Sequence, residues 1–470
     1  MIGLAVAACE SNPTETEADV IVVGAGIAGL SAALEAGAAG VGVVVVEWSS
    51  VAGGHAVKAG GFALVDTPLQ RNKGHADSPD LAFRDLMAWG ENADADWVRQ
   101  FVERSRAEVH DWLSGKGVRF NILIDTPEDS VPRFHFAGGT AVNVIVPLLR
   151  EALTRDNIHW AMNSRAEELI AADDGVIVVR VRDSRTGDAR LISAAAVVLA
   201  TGGFQSNPDL VRRYWPATID RPDKLLIGAG HRATGDGLRV GRSFGAAVTR
   251  IDDQVTFING LPNPREPTRG LHVTNPASIW VNARGDRFVN ERDTTRVTEA
   301  AVLGMSPQTH WMIFDARGRR KLQIRGAEWL NRRSIVTEIL DNPRVAARAE
   351  SIAELAAEAG LPPDRLRATV ERYNDFIAAG RDEDFRRFGD ADPITDSALQ
   401  SSPYYALQLW PMTRKNLGGL AIDLEARALG AGGAPVPGLF AAGEVTGVAG
   451  INGRHGGSGT FLAPSGLMGR

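Results

Sequence analysis

Cysteine is almost absent from this sequence of 470 residues, which contains only Cys9. One cysteine cannot form an internal disulfide, a four-cysteine iron–sulfur site or the Cys-x-x-Cys-His attachment of covalent haem. Any redox centre must therefore be an organic cofactor or belong to a partner protein. We expect no metal site.

The chain also lacks a basic excess and long apolar runs. It has 51 Lys and Arg against 57 Asp and Glu, a net charge of −6, without a basic block that could follow a phosphate backbone. Nucleic acid is therefore not an expected partner. No run beyond the N-terminus approaches the roughly 18 apolar residues of a membrane span. With 44% hydrophobic and 23% charged residues, the composition is that of a globular protein of two or three domains.

The N-terminal stretch "LAVAACESNPTETEAD" has small apolar residues, then Cys9 and a polar tether. It resembles the end of a bacterial lipoprotein signal, although the basic region and most of the apolar core of such a signal are missing. We expect residues 1–17 to be a signal remnant or tether, with any membrane contact made through a lipid on Cys9. The protein would then be periplasmic or membrane-anchored. If this is only an apolar N-terminus, the protein would be cytoplasmic.

From Asp19 the sequence reads as a strand, a glycine turn, an alanine-rich helix and a second apolar strand, which is the pattern of a βαβ unit. Gly24, Gly26 and Gly29 give G-x-G-x-x-G at the turn, and Glu47 ends the second strand. Such glycines allow a tight turn, close approach of the backbone to a pyrophosphate and packing of helix on strand, while the acid accepts from a ribose hydroxyl. The combination predicts a dinucleotide site.

The residues after Glu47 favour FAD over NAD. Gly53 and Gly54, and then Gly60 and Gly61 in "KAGGF", would bring backbone amides near a long ligand. NAD dehydrogenases usually continue into further βαβ units, and the dinucleotide signature does not recur. One bound FAD is therefore favoured over a separate NAD(P)H site.

Three stretches outline the domain organisation. A hairpin pattern at 175–192 and a strand at 194–204 extend the nucleotide-binding part, and "LGGLAID" and "PGLFAAGEVTG" return to the same style near the C-terminus. Between them the composition shifts to arginine-rich helices and irregular segments. We predict an α/β fold, with a Rossmann-like FAD-binding domain in two parts, 18–254 and 406–470, and an inserted α+β capping domain at 255–405.

Many motifs in a fixed order resemble the flavoprotein family of fumarate reductase, succinate dehydrogenase and 3-ketosteroid Δ1-dehydrogenase. The likeness runs from about Asp19 to Arg470 and rests on "VIVVGAGIAGLSAALEA", "VVLATGGF", "HRATGDGLRVGRSFGA", "IWVNARGDRFVNE", "LGGLAID" and "PGLFAAGEVTG". "GGFALVDTPLQRNKG" and "GTFLAPS" look more like the family's uncharacterised FAD-binding dehydrogenases than like fumarate reductases. The resemblance implies catalysis at the flavin face, between the FAD domain and the cap.

The motifs and the resemblance together single out cofactor-binding positions. These are Gly24, Gly26, Ile27, Ala28, Gly29, Glu47, Gly53, Gly54, His55, Gly60, Gly61, Thr201, Gly202, Gly203, Asp236, Gly443, Glu444, Gly459, Thr460 and Phe461. Glu444 matches the family's acid near the FAD ribityl chain, with a solvated turn carboxylate as the alternative. His55 stands near the position where some members attach FAD covalently, but the spacing is one residue short. A polar residue that lines the cofactor is the alternative for His55.

The resemblance also implies how a substrate would react. In the fumarate reductases of the family, hydride passes from flavin N5 to one carbon of a C=C bond, and an arginine delivers a proton to the other. The matching stretch is "RFVNERDTTR", where the spacing after Glu291 is one residue longer. Anchoring on "TTR" selects Arg296, with Arg292 as the fallback. An arginine has a pKa above about 12 and can donate only through a relay, and the relay glutamate position reads Asn275.

The residues that would hold a substrate match the family in part. Thr274 and Arg454 match a threonine and an arginine that hold substrate carboxylates in the fumarate reductases. Lys415 stands at the position of a histidine there, and the cap histidine position reads Leu261. The loss of a charge-assisted contact makes fumarate itself a poor candidate.

We therefore predict an FAD-dependent oxidoreductase acting on CH–CH groups, which transfers hydride between flavin N5 and a carbon–carbon bond next to a carboxylate or ketone. Arg296 would transfer the proton, and His135 and His231 are other candidates for a base, although each is more often structural. The direction of reaction and the electron partner are left open, the partner being a quinone, free reduced flavin or a redox protein. A second hypothesis is a flavin-binding electron-transfer or assembly subunit without substrate chemistry, because the relay is incomplete.

Overall fold

The structure, a computed structural model, describes residues 15–138, 141–172, 175–388 and 398–470. The predicted lipid anchor at Cys9 lies outside these residues. Within them, no helix combines the length and the apolar character needed to cross a membrane.

Two large mixed sheets and the helices around them make up most of the described chain. The strands are β1 (Glu15–Val23), β2 (Val43–Val46), β3 (Phe62–Ala63), β4 (Ile122–Ile124), β5 (Phe134–Phe136), β6 (Ile158–Ala161), β7 (Ser164–Ala171), β8 (Ile177–Asp183), β9 (Ala189–Leu199), β10 (Leu226–Ile227), β11 (Val248–Thr249), β12 (Gln254–Asn263), β13 (Glu266–Thr274), β14 (Ile279–Val281), β15 (His310–Phe314), β16 (Gln323–Arg325), β17 (Ala346–Ala349), β18 (Tyr404–Asn416), β19 (Gly419–Leu420), β20 (Arg427–Leu429) and β21 (Pro435–Ala441). The α-helices are α1 (Ile27–Ala38), α2 (Pro68–Asn72), α3 (Pro79–Gly90), α4 (Ala95–Arg104), α5 (Trp112–Gly115), α6 (Val142–Leu153), α7 (Pro208–Arg213), α8 (Asp236–Ser243), α9 (Thr295–Leu303), α10 (Arg332–Ser334), α11 (Ile352–Ala359), α12 (Pro363–Ala379) and α13 (Leu462–Met468).

The first sheet has a parallel centre in the order β21-β9-β1-β2-β6. β1 lies between β2 and β9, with Val22 opposite both Val45 and Val198. Every residue of β2 is buried, as expected for a parallel sheet that is covered on both faces, and apolar clusters pack on each face. β8 and β9 form the predicted hairpin. The predicted α/β class and Rossmann-like arrangement are confirmed.

The turn between β1 and α1 depends on its glycines. Gly24 adopts a φ of 105°, and a Cβ there would lie 2.4 Å from the carbonyl oxygen of Ala200. A Cβ on Gly29 would lie 1.8 Å from the carbonyl oxygen of Gly24. Side chains at these positions would separate the helix from the strands. The glycines thus hold the start of α1 against the carboxyl end of the first sheet.

The cap sheet has the order β10-β13-β12-β18-β15-β14, with β16 beside β13 and β17 beside β18. The sequence predicted arginine-rich helices for this domain, and α11 and α12 are among those present, but most of its strands were not recognised. β10 precedes the boundary expected at 255, and β18 runs past the one expected at 405. Both strands pair within the cap sheet, so this sheet includes residues on each side of the predicted insertion at 255–405.

A buried ion cluster explains the "RFVNE" stretch at 287–291. Glu291 lies 2.9 Å from Arg287 and 3.0 Å from Arg387, and Arg287 also contacts Asp382 at 3.0 Å. Burial alone would raise the pKa of Glu291, but the two guanidinium groups hold it below its ordinary value. These residues therefore stabilise the cap and do not face a ligand site.

β18 carries the chain from the cap back to the first sheet, and Asn416 at its end joins the two. Asn416 Oδ1 accepts from the backbone N–H of Phe204 at 3.2 Å. Its Nδ2 donates to the carbonyl oxygens of Gly418 at 2.7 Å and Glu444 at 2.9 Å. Because a buried amide with several partners is costly to displace, this side chain fixes the end of the cap strand against two turns of the first sheet.

Candidate active site

A cavity of about 900 Å³ opens at the carboxyl ends of β1, β2, β9 and β21 and extends to the cap sheet. Open α/β sheets bind ligands at this edge. Most of the predicted cofactor positions lie in the cavity wall, namely Gly24, Gly26, Ile27, Ala28, Glu47, Gly54, His55, Gly60, Gly61, Thr201, Gly202, Gly203, Asp236, Gly443, Glu444, Gly459 and Phe461. The fold thus collects them from strand ends that are far apart in sequence.

Three predicted cofactor positions lie behind the described wall. Gly29 packs on the turn at Gly24. Gly53 donates its backbone N–H to the carbonyl oxygen of Ala25 at 2.8 Å. The Thr460 hydroxyl donates to the carbonyl oxygen of Gly457 at 2.8 Å. These residues shape the turns that form the wall and are not themselves part of it.

Some glycines leave the main chain bare toward the cavity. A Cβ on Gly26 or Gly202 would meet no protein atom within 4 Å. Gly54 and Gly443 adopt φ values of 51° and 80°, in the region that favours glycine. A surface of this kind lets a long ligand approach the backbone closely, as binding of a pyrophosphate requires.

Glu47 is held rigidly at the end of β2. Its Oε2 accepts from the backbone N–H of Ala25 at 2.8 Å, and its Oε1 accepts from that of Ser49 at 2.7 Å. An ionised carboxylate offers about four acceptor sites, so Glu47 keeps the capacity to accept from a hydroxyl in the cavity. This position suits the predicted contact with a ribose.

Trp48, the next residue, was not predicted from the sequence. Two guanidinium groups lie over its ring, that of Arg165 at 4.5 Å and that of Arg232 at 4.3 Å from the centroid. Arg165 is anchored by Asp236 at 2.6 Å. The arrangement holds a large aromatic surface at the ribose end of the cavity, since each cation faces the ring.

His55 and Glu444 form a polar pair in the middle of the wall. His55 Nδ1 lies 3.7 Å from Glu444 Oε2, and His55 Nε2 is buried without a hydrogen-bond partner among the described residues. Burial lowers the pKa of His55 from its ordinary value, and contact with Glu444 opposes this only in part. The pair therefore offers a ligand a neutral imidazole and a carboxylate. Glu444 is mostly buried, unlike a solvated turn residue.

An irregularity in β18 brings two cations to the cavity. Lys415 pairs with Val255 on β12, but Thr256 pairs with Thr413, so Arg414 is an extra residue in the ladder. Such a β-bulge redirects side chains and is common beside active sites. Arg414 and Lys415 both line the cavity as a result.

Arg414 faces the cap side. Its guanidinium lies 5.3 Å from the ring of Phe257, and its Nη1 donates to the carbonyl oxygen of Gly228 at 3.0 Å. Its Nε is buried and has no partner among the described residues. Burial has the largest effect on the pKa of Arg414 and lowers it, and the attraction of Glu444 is the next largest effect and raises it. The guanidinium nevertheless remains charged.

His272, Arg325 and Asn259 complete the cap side of the wall. His272 and Arg325 stand directly opposite each other on β13 and β16. Burial lowers the pKa of His272 to about 3, with Arg414 and Arg325 acting in the same direction. Asn259 Oδ1 is buried without a partner in the described chain. Unsatisfied polar atoms in a cavity wall are costly unless a ligand meets them.

A family model described as an FAD binding domain matches residues 19–462. The chain belongs to this family of flavoproteins. It is 32% identical to a probable fumarate reductase of Shewanella frigidimarina, over 98% of this chain and 75% of the relative. It is also 30% identical to a KsdD-like steroid dehydrogenase of Mycobacterium tuberculosis, over 96% of this chain and 94% of the relative.

The solved structures agree with this assignment. The open conformation of a flavocytochrome c3 fumarate reductase superimposes with a TM-score of 0.77 and 30% identity, covering 97% of this chain and 77% of that chain. The resemblance, the FAD cofactor and the enzyme class expected from the sequence are thereby confirmed. The flavoprotein is an FAD-dependent oxidoreductase that acts on CH–CH groups.

The wall of this flavoprotein fits FAD. The bare backbone at Gly26 and Gly202 and the carboxylate of Glu47 suit the dinucleotide part, and His55 Nε2 is a buried atom that needs a partner. Bound FAD supplies a centre that accepts or donates hydride. The residues of the chain then have to bind the substrate, orient it and exclude water.

Three of the residues predicted to meet the substrate lie elsewhere. Arg296 is half exposed and lies 2.5 Å from Glu91. Arg454 is 62% exposed and lies 3.5 Å from Asp253. Neither is part of the described cavity wall, although Thr295, beside Arg296, is. The segment before Arg296 is one residue longer than the family pattern, and one residue turns a helical side chain by about 100°, which places Arg296 on another face of α9.

Thr274 and the other candidates also differ from expectation. Thr274 pairs with Gln323 beyond His272 on β13 and is not in the described wall. His135 is fully buried and lies 2.7 Å from the Thr67 hydroxyl. His231 does line the cavity, with its ring 3.7 Å from Glu266. Of the four predicted substrate residues, only Lys415 is in the described wall.

The sequence contained a weak signal for the residues that were missed. "TRK" at 413–415 places two cations side by side, and the alternation in "GLHVT" puts His272 on the same face as Gly270. Only Lys415 was chosen, because the bulge that exposes Arg414 has no pattern in a single sequence.

Proposed function

We propose that this flavoprotein transfers hydride between flavin N5 and a carbon–carbon bond that lies next to a carboxylate. The observation that carries the proposal is Arg414, a buried guanidinium in the cavity wall with an unpartnered Nε. No ion pair to a carboxylate is seen for it in the described residues, where its hydrogen bond goes to the carbonyl oxygen of Gly228. Glu444 attracts Arg414 from a distance, but burial and the repulsion of Arg325 act against the charged form. A buried cation that is compensated only in part is unfavourable, and an anionic substrate would balance its charge.

The surroundings of Arg414 favour a carboxylate over a ketone. Arg325 adds a second cation on the same side of the cavity, and His272 is neutral at physiological pH because its pKa is lowered to about 3. A ketone would satisfy hydrogen bonds but would not relieve the repulsion between the two guanidinium groups. A carboxylate accepts from a guanidinium through two oxygens, so it satisfies both demands at once.

The remaining wall suits an apolar substituent better than a second carboxylate. Leu261, at the position expected to hold a second carboxylate, is 1% exposed and packs in the cap core. Phe257, which contacts Arg414, and Met412 and Trp280 also line the cavity. We therefore propose an α,β-unsaturated acid with an apolar substituent, or its saturated form, as the substrate class. Arg414 and Arg325 would orient the acid so that its carbon–carbon bond lies against the flavin.

The test compares an acid with a ketone of the same shape. The purified holoprotein is reduced anaerobically with one equivalent of dithionite and mixed with cinnamate, benzylideneacetone or fumarate while the flavin absorbance is recorded. We expect reoxidation by cinnamate to be at least tenfold faster than by the other two. Equal rates for acid and ketone would contradict the assignment of Arg414.

The same experiment addresses the alternative function. Oxidised protein mixed with 3-phenylpropanoate would bleach if the reaction runs toward desaturation. Bound FAD that exchanges electrons with methyl viologen but responds to no acid or ketone would favour an electron-transfer subunit without its own substrate. Methyl viologen serves as donor because it does not require the natural electron partner.

A further inference from the structure

Lys415 differs from its neighbour Arg414 in what it faces. Its Nζ lies 3.9 Å from the ring centroid of Phe461, just before α13, and in the described chain it has neither a hydrogen bond nor an ion pair to a carboxylate. Glu444 and His55 interact electrostatically with both Lys415 and Arg414. The ring contact is what distinguishes the two cations, because Lys415 lies over Phe461, a predicted cofactor position, whereas Arg414 lies near Phe257 of the cap sheet. Lys415 therefore lies on the side of the cavity that is predicted to hold the flavin.

We propose that Lys415 binds a proton when the flavin is reduced, so that the protonation of this amine and the redox state of the cofactor are coupled. The proposal requires bound FAD, which the family assignment shows. It does not depend on the identity of the substrate, so it can fail while the proposed function stands, and the reverse.

The charges around Lys415 support such coupling. Burial lowers its pKa to about 7, Arg414 on the same strand acts in the same direction, and Glu444 opposes them. From β12 it is faced by Val255, which carries no charge, and His55 is neutral because burial lowers its pKa. An amine in this setting is only partly protonated near neutral pH. A new negative charge nearby raises the pKa of an amine.

A reductant such as dithionite would supply two electrons to bound FAD, together with one proton that the reduced ring takes up. The Lys415 amine would take a second proton from solvent, and the resulting ammonium would compensate the negative charge of the reduced ring. When a substrate or another acceptor removes a hydride, the ammonium would return its proton to solvent, so that protons and electrons balance.

The test is the midpoint potential of bound FAD as a function of pH, measured between about pH 5.5 and 9.5. Lys415 would take up a proton on reduction only at pH values that lie between its pKa with oxidised flavin and its higher pKa with reduced flavin. This pH range begins near pH 7. We expect wild-type protein to bind two protons per two electrons in this window and one outside it. In Lys415→Met the steeper segment disappears and one proton is bound throughout.

Two further variants separate the coupling from other effects. Lys415→Arg keeps the positive charge but does not titrate, so it should lose the steep segment while its potential stays above that of Lys415→Met. Lys224 is the matched control, since its Nζ lies 4.1 Å from the Trp410 ring centroid and burial lowers its pKa, but it is not in the described cavity wall. Lys224→Met should behave as wild type.

Two outcomes would overturn the proposal. One is a steep segment that persists in both Lys415 variants, and the other is its loss in His55→Asn with Lys415 intact, which would assign the proton to the histidine. If Lys415→Met loses FAD, the pH dependence of the midpoint potential of Lys415→Arg still tests the proposal. An independent measurement is the NMR titration of ¹³C-dimethylated lysines, where one resonance, absent from Lys415→Arg, should titrate at higher pH after reduction.

Discussion

Replacement of Arg414 by methionine should weaken substrate binding without destabilising the protein. The guanidinium is buried and stacks 5.3 Å from the Phe257 ring centroid, and its Nη1 donates to Gly228 at 3.0 Å. A methionine can occupy the same apolar surroundings but cannot bind an anion. Arg414→Met therefore removes the charge on which the proposed function depends and leaves the packing largely unchanged.

The expected magnitudes follow from the two environments. A hydrogen bond to a charged group contributes about 1.5–3 kcal/mol, which corresponds to a roughly 10- to 150-fold weaker complex with a carboxylate, at about 1.4 kcal/mol per tenfold. In the free protein, the lost bond to Gly228 is offset because a buried charge that Glu444 compensates only in part is removed. We expect the free energy of unfolding to change by less than about 1 kcal/mol, since replacing buried ionic groups by apolar ones is often neutral.

The assay is a titration of oxidised holoprotein with cinnamate, which oxidised flavin cannot reduce, followed by the flavin difference spectrum. Urea unfolding of the same samples gives the stability. Arg454→Met is the matched control, because Arg454 is exposed and pairs with Asp253 outside the described cavity wall. A dissociation constant within twofold of wild type for Arg414→Met would refute the reasoning. So would equal weakening in the control.

Four other changes test the remaining parts of the structure. Glu291→Gln should cost about 3–5 kcal/mol in urea unfolding, because it leaves two buried guanidinium groups without their shared carboxylate. Gly203→Ala should lower the FAD content of purified protein, since its Cβ would lie 1.7 Å from Asn416 Oδ1; unchanged FAD content would contradict the geometry. Burial raises the pKa of Glu299 in the folded protein to about 8. Its contribution to the free energy of unfolding is complete below about pH 4.5 and is lost as pH rises toward 8, because the carboxyl ionises first in the unfolded chain. Glu299→Gln should remove this decline in thermal unfolding. Arg296→Gln should lower turnover less than tenfold, whereas loss of a general acid costs about 10²–10⁴-fold; a loss in that range would restore the arginine as proton donor.

The positions predicted for the cofactor could be chosen from the sequence because a pyrophosphate is bound largely by the main chain. Gly24 permits the turn against Ala200 and Gly26 leaves exposed backbone at the strand end. This requirement leaves a fixed spacing in the sequence, with Glu47 at a fixed distance. Local order of residues was enough to find these positions.

The substrate half could not be predicted in the same way, because its geometry depends on register. The cap strands carry glycine, proline and charged residues, so the alternation that reveals a strand is weak there. Whether Arg414 or Lys415 faces a given side depends on one bulged residue, and whether Arg296 enters the cavity depends on where α9 begins. The bulge in β18 and the start of α9 each depend on a single residue, and the spacing of motifs in the family does not fix either to within one residue.

The bulge in β18 has a consequence for how this enzyme can change over generations. The bulge makes two cations of the cavity wall neighbours in the chain, Arg414 near Phe257 and Lys415 near Phe461. Under the two proposals made above, residue 414 governs which substrate binds and residue 415 governs the redox potential of the flavin, so a substitution at one position would alter one property and keep the other. A relative that differs at only one of these two positions would show which property its lineage has changed.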